Sequence, residues 1–230
     1  MRDKPAPSAQ TVVHNDDHLI VIDSLINRGV HPSVQVSGIG PVPTGSVTVQ
    51  WFGNGTCAGR TALASTTGAL VNGVADLASF TPVPTTPGSY SFLATYAGDA
   101  AYKAATAACA PVTVLPKLQA TIATSIHNAS HAVVTSVAKN APVHSLVTVT
   151  GLPPTPVTGT VTLTWFAGNK CSGRPAATSS PLSIGPGGVI DATAFVQAPS
   201  KAGSYAFRAA YSGDLNYAEG AGVCQVVVVR

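Results

Sequence analysis

The sequence predicts an all-β protein made of two β-sandwich domains in tandem. Three observations carry that expectation. Charged residues make up only 9% of the 230-residue chain while the hydrophobic fraction is an ordinary 45%, so small neutral residues have replaced charge. Val and Thr are abundant, Gly and Pro number 22 and 18, and Glu219 is the single glutamate. That mix favours short strands and turns over helices and lacks the high charge and low apolar content of a disordered chain. Apolar residues alternate with polar ones at period 2, and nearly every alternating segment occurs twice.

The duplication organises the chain. Val13, His14 and Asn15 recur as Ile126, His127 and Asn128; His18 recurs as His131; Val30 and His31 recur as Val143 and His144. The segment 45–52 recurs at 159–166, the Cys57-to-Arg60 turn at 171–174, and the Gly-Asp turn at Asp99 recurs at Asp214. The offset drifts only from 113 to 115, which confines insertions to loops. The boundaries expected from this are an N-terminal arm at 1–10, one domain at 11–115, a linker at 116–118 and a second domain at 119–230. A linker that short, containing Pro116, restricts swinging of the domains.

Each strand follows from its alternation. Val34 with Val36, and Val147 with Val149, mark an early strand. Val47, Val49 and Trp51 share one face of the next, repeated by Val161, Leu163 and Trp165. Tyr90, Phe92, Ala94 and Tyr96 line a later strand, repeated by Tyr205, Phe207, Ala209 and Tyr211. Val112 with Val114, and Val227 with Val229, form the last. About seven short strands per ~105 residues, one bearing an inward Trp, read as an immunoglobulin-like sandwich. Trp51 and Trp165 are therefore expected in the cores. Tyr90 and Tyr205, each opening the penultimate strand after Gly-Ser, suit a tyrosine corner. Phe52 and Phe166 have the opposite parity to the core residues, which makes them candidates for an exposed contact surface.

Each unit resembles the bacterial Ig-like repeat domains of large surface and secreted proteins. The resemblance is carried by Pro43 to Phe52 with Gly88 to Tyr102, and by Pro156 to Phe166 with Gly203 to Tyr217. It covers both domains, not residues 1–10, and its motifs are turn and core residues, specific for fold rather than activity. A subgroup common in actinobacterial surface proteins adds one cysteine after the aromatic strand and one in the last strand, which Cys57 with Cys109 and Cys171 with Cys224 match. Four cysteines allow three pairings. The repeat selects the pairs 52 and 53 residues apart, Cys57–Cys109 and Cys171–Cys224. The parity of Cys109 against Val112 and Val114 puts its bridge on an outer face or at an edge. Bonded cysteines imply an oxidising setting, extracellular or cell-surface.

The six histidines are all duplicated, and three imidazoles repeated in each unit raise the question of a metal site. With His14 and His18 four residues apart on one extended strand they stand ~13 Å apart, too far to share an ion without a turn, and no metal site or cofactor is expected. Asp99 and Asp214 read as turn residues bonding their own backbone, and Asp76 and Asp191 as strand-end or loop residues. Neither a Gly-x-Ser-x-Gly elbow, a His-Glu-x-x-His pair nor a phosphate-binding glycine loop is present, so the chain is not expected to be an enzyme.

A net charge of +3 with no basic stripe argues against nucleic acid, and no apolar run reaches the ~18–20 residues of a membrane span. Residues 1–5 lack the apolar run of a secretory leader, so a mature chain or another export route is expected. Residues 11–115 carry net −2 and residues 120–230 net +3, a difference largely screened at physiological salt. The function expected is structural: an extracellular tandem repeat acting as a spacer or stalk, or a self-assembling filament or lattice subunit, whose arm at 1–10 adds to a neighbour's sheet edge. The alternatives are an adhesin or carbohydrate-binding module, with a glycan as partner, and a virion decoration domain.

Overall fold

A computed structural model of the protein describes residues 3–59 and 61–230. Two compact units divide at Pro116/Lys117, and both are all-β.

The first unit contains β1 (Ser8–Asn15), β2 (Asp23–Leu25), β3 (Val30–Ser37), β4 (Ser46–Phe52), β5 (Ala64–Ala69), β6 (Val74–Asp76), β7 (Gly88–Tyr96), β8 (Ala105–Thr106) and β9 (Ala110–Leu115). One sheet runs β1-β3-β6; the other runs β2-β9-β7-β4-β5, with β8 attached to β7. β2 pairs with β9 in parallel, whereas the other ladders of the unit are antiparallel. The first strand region thus serves both sheets, and sequence neighbours cross between them, which is the Greek-key connectivity of an immunoglobulin-like sandwich. Between the sheets lies one cluster containing Val13, Val34, Val36, Val47, Val49, Trp51, Phe92, Ala94, Tyr96 and Val112. These are the inward positions of the alternation.

The second unit repeats the plan with β10 (Thr121–Asn128), β11 (Ser136–Val137), β12 (Val143–Thr150), β13 (Thr160–Phe166), β14 (Ala177–Thr178), β15 (Leu182–Ser183), β16 (Val189–Asp191), β17 (Gly203–Tyr211), β18 (Gly220–Ala221) and β19 (Gln225–Val229), plus a single 3-10 turn at Pro186–Gly188. Its sheets run β10-β12-β16 and β11-β19-β17-β13-β14. The interior is filled by Val147, Val149, Val161, Leu163, Ala209 and Tyr211 around one centre, and by Ile126, Val143, Trp165, Phe207 and Val227 around another.

Bridges Cys57–Cys109 and Cys171–Cys224 close within their own units, with Cα–Cα separations of 5.7 and 5.6 Å. Each joins the loop after the Trp-bearing strand to the approach of the last strand, within one sheet, and stands outside the hydrophobic clusters. Trp51 stacks on Tyr90 at 5.1 Å and 4°, and Trp165 on Tyr205 at 5.3 Å and 5°. The Tyr90 hydroxyl donates to the Thr86 carbonyl at 3.0 Å, and Tyr205 to the Lys201 carbonyl at 3.1 Å, so each ring is held four residues back along its own chain.

Three expectations need correction. Phe52 and Phe166 are not exposed: they are 5% and 7% accessible. Phe52 is the register partner of Ser91, so both project from the same face. Ser91 donates to the Asn54 carbonyl and accepts from the Cys57 amide, drawing the 54–57 segment over that outer face. Parity ignores a loop folding back across a strand end. The arm at 1–10 is also shorter than expected, because Ser8, Ala9 and Gln10 already pair with Ser37, Val36 and Gln35. Residues before them are tied to the same unit, the Lys103 amide donating to the Pro5 carbonyl and Lys103 Nζ pairing with Asp3. Finally, Lys117 and Leu118, placed in the linker, belong to the second unit. Leu118 bonds Asn216 and Ala218 through its backbone and packs on the Val147 cluster, because burying its side chain outweighs leaving it in a joint.

Candidate metal centre

The duplicated histidines converge on the outer face of each three-stranded sheet. Val13 points into the core, so its neighbour His14 faces outward on β1. His14 and His31 are register partners on β1 and β3, and their rings meet edge to face at 5.4 Å. His18 joins them through a tight reversal after Asn15. The Asn15 carboxamide oxygen accepts from the amides of Asp17 and Leu19 at 3.0 and 2.9 Å. The Asn15 carbonyl accepts from the His18 amide at 3.0 Å, and His18 sits at φ 57°, the left-handed conformation such a turn needs. The returning chain bridges Ile20 to His14. His18 thereby lands 4.8 Å from the His31 ring and 6.4 Å from the His14 ring, centroid to centroid.

This overturns the extended-strand separation from which a shared ion was excluded. Asn15, an Asx-turn former between the two histidines, was the signal that the strand stops there. The second unit builds the same reversal. Asn128 accepts from the amides of Ser130 and Ala132, His131 has φ 57°, and Val133 bridges to His127. His127 and His144 are register partners with rings 5.7 Å apart, and His131 lies 5.0 Å from His144.

A carboxylate completes each group. Asp76 ends β6 opposite Ser33 of β3, one diagonal step from His31. Its oxygens lie 3.8 Å from His31 Nε2 and 3.8 Å from His18 Nδ1. The ligand-bearing atoms of His14, His18, His31 and Asp76 all fall within 4.8 Å of one another, as do those of His127, His131 and His144. Asp191, ending β16, approaches His131 Nδ1 at 2.8 Å and His144 Nε2 at 3.0 Å. Reading Asp76 and Asp191 as isolated strand-end residues therefore captured their position but missed their partners.

Burial is uneven. His31 and His144 are 2% and 3% accessible, whereas His18, His131 and the aspartates stand at the surface. Desolvation lowers the pKa of His31, with Asp76 pulling the other way and His18 and His14 adding to the fall. His144 shifts down for the same reason, opposed by Asp191. Both imidazoles are thus held neutral, the form that offers a lone pair. Buried nitrogens of His14 (Nδ1), His31 (Nε2) and His127 (Nδ1) make no hydrogen bond, whereas His144 Nε2 faces the Asp191 carboxylate at 3.0 Å. His127 Nε2 lies 3.0 Å from Ser125 Oγ; when it donates there, Nδ1 is left as the acceptor.

Asp99 and Asp214 have a different role. Asp99 accepts from the Thr44, Ala101 and Tyr102 amides, and these bonds, Thr44's foremost, hold its carboxyl below the usual range. Burial pushes Asp214 up, but bonds from the Thr158, Tyr217 and Asn216 amides outweigh it and the net shift is down. Beside them, burial pushes the Tyr96 phenol up to about 12. These carboxylates are consumed by the turn.

The fold and the site define an all-β chain of two immunoglobulin-like sandwiches, each carrying a histidine-rich group on its outer face. No family model and no curated protein matches the sequence. Among solved structures, the C-terminal domain of the Streptococcus agalactiae AgI/II polypeptide BspA is similar over 96% of this chain and 99% of that one, at 8% identity and TM-score 0.39. A Salmonella alpha-2-macroglobulin reacted with methylamine is similar over 96% of this chain and 16% of that one, at 13% identity and TM-score 0.31. Superpositions this loose carry no argument about function.

Proposed function

We propose that the protein is a non-catalytic extracellular structural module, its two immunoglobulin-like units serving as a spacer or stalk at a cell surface. The observation that supports this is that each unit encloses its own core and carries its own disulfide across a 52- or 53-residue segment. Such bridges persist in oxidising compartments and are reduced in the cytosol of ordinary cells. A closed, stapled unit repeated in series suits a load-bearing part, since unfolding one unit releases only the residues outside its bridged loop. Assembly through the N-terminal arm is not part of the reading, because Ser8–Gln10 already occupy the edge of β3.

The test is surface labelling of intact source cells with an antibody to the chain, combined with thiol alkylation before lysis. Labelling without permeabilisation and no alkylatable thiols are expected. Protein confined to the cytosol with four free thiols would overturn the proposal.

A further inference from the structure

We propose that each unit binds one divalent late-transition-metal cation, zinc fitting best, through His14, His18, His31 and Asp76 in the first unit and His127, His131, His144 and Asp191 in the second. This goes beyond the spacer reading and does not depend on it.

The donor set decides the class of ion. Three imidazoles and one carboxylate are the ligands of Zn2+, Ni2+ or Cu2+, whereas Ca2+ and Mg2+ take oxygen shells. In the first unit four ligand atoms, from β1, the reversal, β3 and β6, lie within 4.8 Å of one another, and four is the count a closed zinc site requires. In the second unit the three histidines do so, and Asp191 reaches two of them, His131 at 2.8 Å and His144 at 3.0 Å. Bonds of about 2.0–2.2 Å place tetrahedral ligand atoms roughly 3.4 Å apart. Atoms that lie within 4.8 Å of one another must therefore close by at most about 1.4 Å. The surface residues can supply that movement: His18 and Asp76 are 58% and 51% exposed, His131 and Asp191 55% and 37%. The inner histidines are already fixed by the strand register.

The inner pair also supplies an independent reason to expect a ligand. His31 is 2% accessible, and its Nε2 points at Asp76 without a hydrogen bond. His14 Nδ1 is likewise buried and unpartnered. A buried polar nitrogen left unpaired is costly, and one cation would satisfy both. In the second unit His127 Nδ1 is in the same condition, while His144 Nε2 already has the Asp191 carboxylate at 3.0 Å. A metal here would bind the reversal and the short strands β6 and β16 to the strands beside them.

Calorimetric titration of tag-free, metal-stripped full-length chain with zinc at neutral pH should give two equivalents. His31→Ala should leave one, and His31→Ala with His144→Ala none, in protein whose far-UV circular dichroism is unchanged. Should the buried variants fail to fold, His18→Ala and His131→Ala alter only exposed side chains and should each weaken one site at least tenfold. Cobalt should give the intense visible absorption of a four-coordinate N/O site, lost in the double variant, while calcium should give no heat. Zinc should raise the Tm of the wild type and not of the double variant. No zinc heat in tag-free chain, or heats and Tm shifts that persist in the variants, would show imidazole–carboxylate ion pairs only and overturn the proposal.

Discussion

Removing one disulfide should destabilise its own unit by about 4 kcal/mol and leave the other untouched. The bridge Cys57–Cys109 closes a loop with a sequence separation of 52, and the entropy withheld from an unfolded chain by a loop of that length is worth about 4 kcal/mol. The sulfurs lie outside the hydrophobic cluster, with Cys57 Sγ 3.3 Å from the Phe92 carbonyl oxygen. Little core packing is therefore lost with them, and the effect falls on the unfolded state. Because the loop term is logarithmic, the separation of 53 in the second unit implies an equal effect there. Each unit contains one tryptophan, 4% accessible and stacked on a tyrosine, so Trp165→Phe leaves Trp51 as a reporter of the first unit. Urea unfolding followed by Trp51 fluorescence, with and without Cys57→Ser/Cys109→Ser, measures the difference. The m-value should rise as well, since the unbridged chain exposes more surface on unfolding. A loss below about 1 kcal/mol, or costs in the two units differing by more than about 2 kcal/mol, would refute the chain-entropy argument.

Asp214→Ala strands the amides of Thr158, Asn216 and Tyr217 and should cost about 2–4 kcal/mol in denaturant melts, at roughly 1 kcal/mol or more per lost bond to a charged acceptor. Asp214 titrates below its ordinary value, so between the two pKa values the unfolded chain binds more protons and acid favours unfolding. Its contribution is complete above about pH 5 and lost as pH falls through the native pKa; the stability gap between wild type and Asp214→Asn should narrow below pH 4, and a gap that stays constant would refute this. Gly151→Ala should destabilise the second unit by about 1–3 kcal/mol, because its Cβ would stand 2.3 Å from the hydroxyl oxygen of Tyr217, a side chain with no accessible surface. Tyr217→Phe should cost about 1–3 kcal/mol, since that hydroxyl accepts from the Leu152 amide and lies in reach of the Leu152 and Thr155 carbonyls; thermal melts no different from wild type would count against either assignment.

The fold was legible because period-2 alternation coincides with burial. Val47, Val49 and Trp51 are buried on β4 while Thr48 is exposed, and no tertiary information is needed to see that pattern. Alternation misleads where strands end. It treated 14–18 as one extended segment, though Asn15 takes its own downstream amides and turns the chain. It placed Phe52 outside, though a loop anchored on Ser91 covers it. The aspartates were harder still. Nothing local links Asp76 to His31, 45 positions earlier; only the pairing of β3 with β6 joins them, and that pairing is a property of the sandwich.

The two cross-links, one covalent and one inferred, act on different sheets. Cys57, in the loop after β4, and Cys109, just before β9, tie together elements of the sheet β2-β9-β7-β4-β5. The histidine–aspartate group lies wholly on β1-β3-β6 and the reversal after β1. That second sheet is the more exposed to fraying, since β6 has three residues and β1 is an edge strand. A cation joining His14, His18, His31 and Asp76 would restrain those edges, where the disulfide has no reach. Amide exchange separates the two effects. Zinc should slow exchange in β1 and β6 while leaving β4 and β9 unchanged, and reduction should do the reverse. Uniform protection across both sheets on adding zinc would mean that the ion acts on global stability alone, and that this division of labour is wrong.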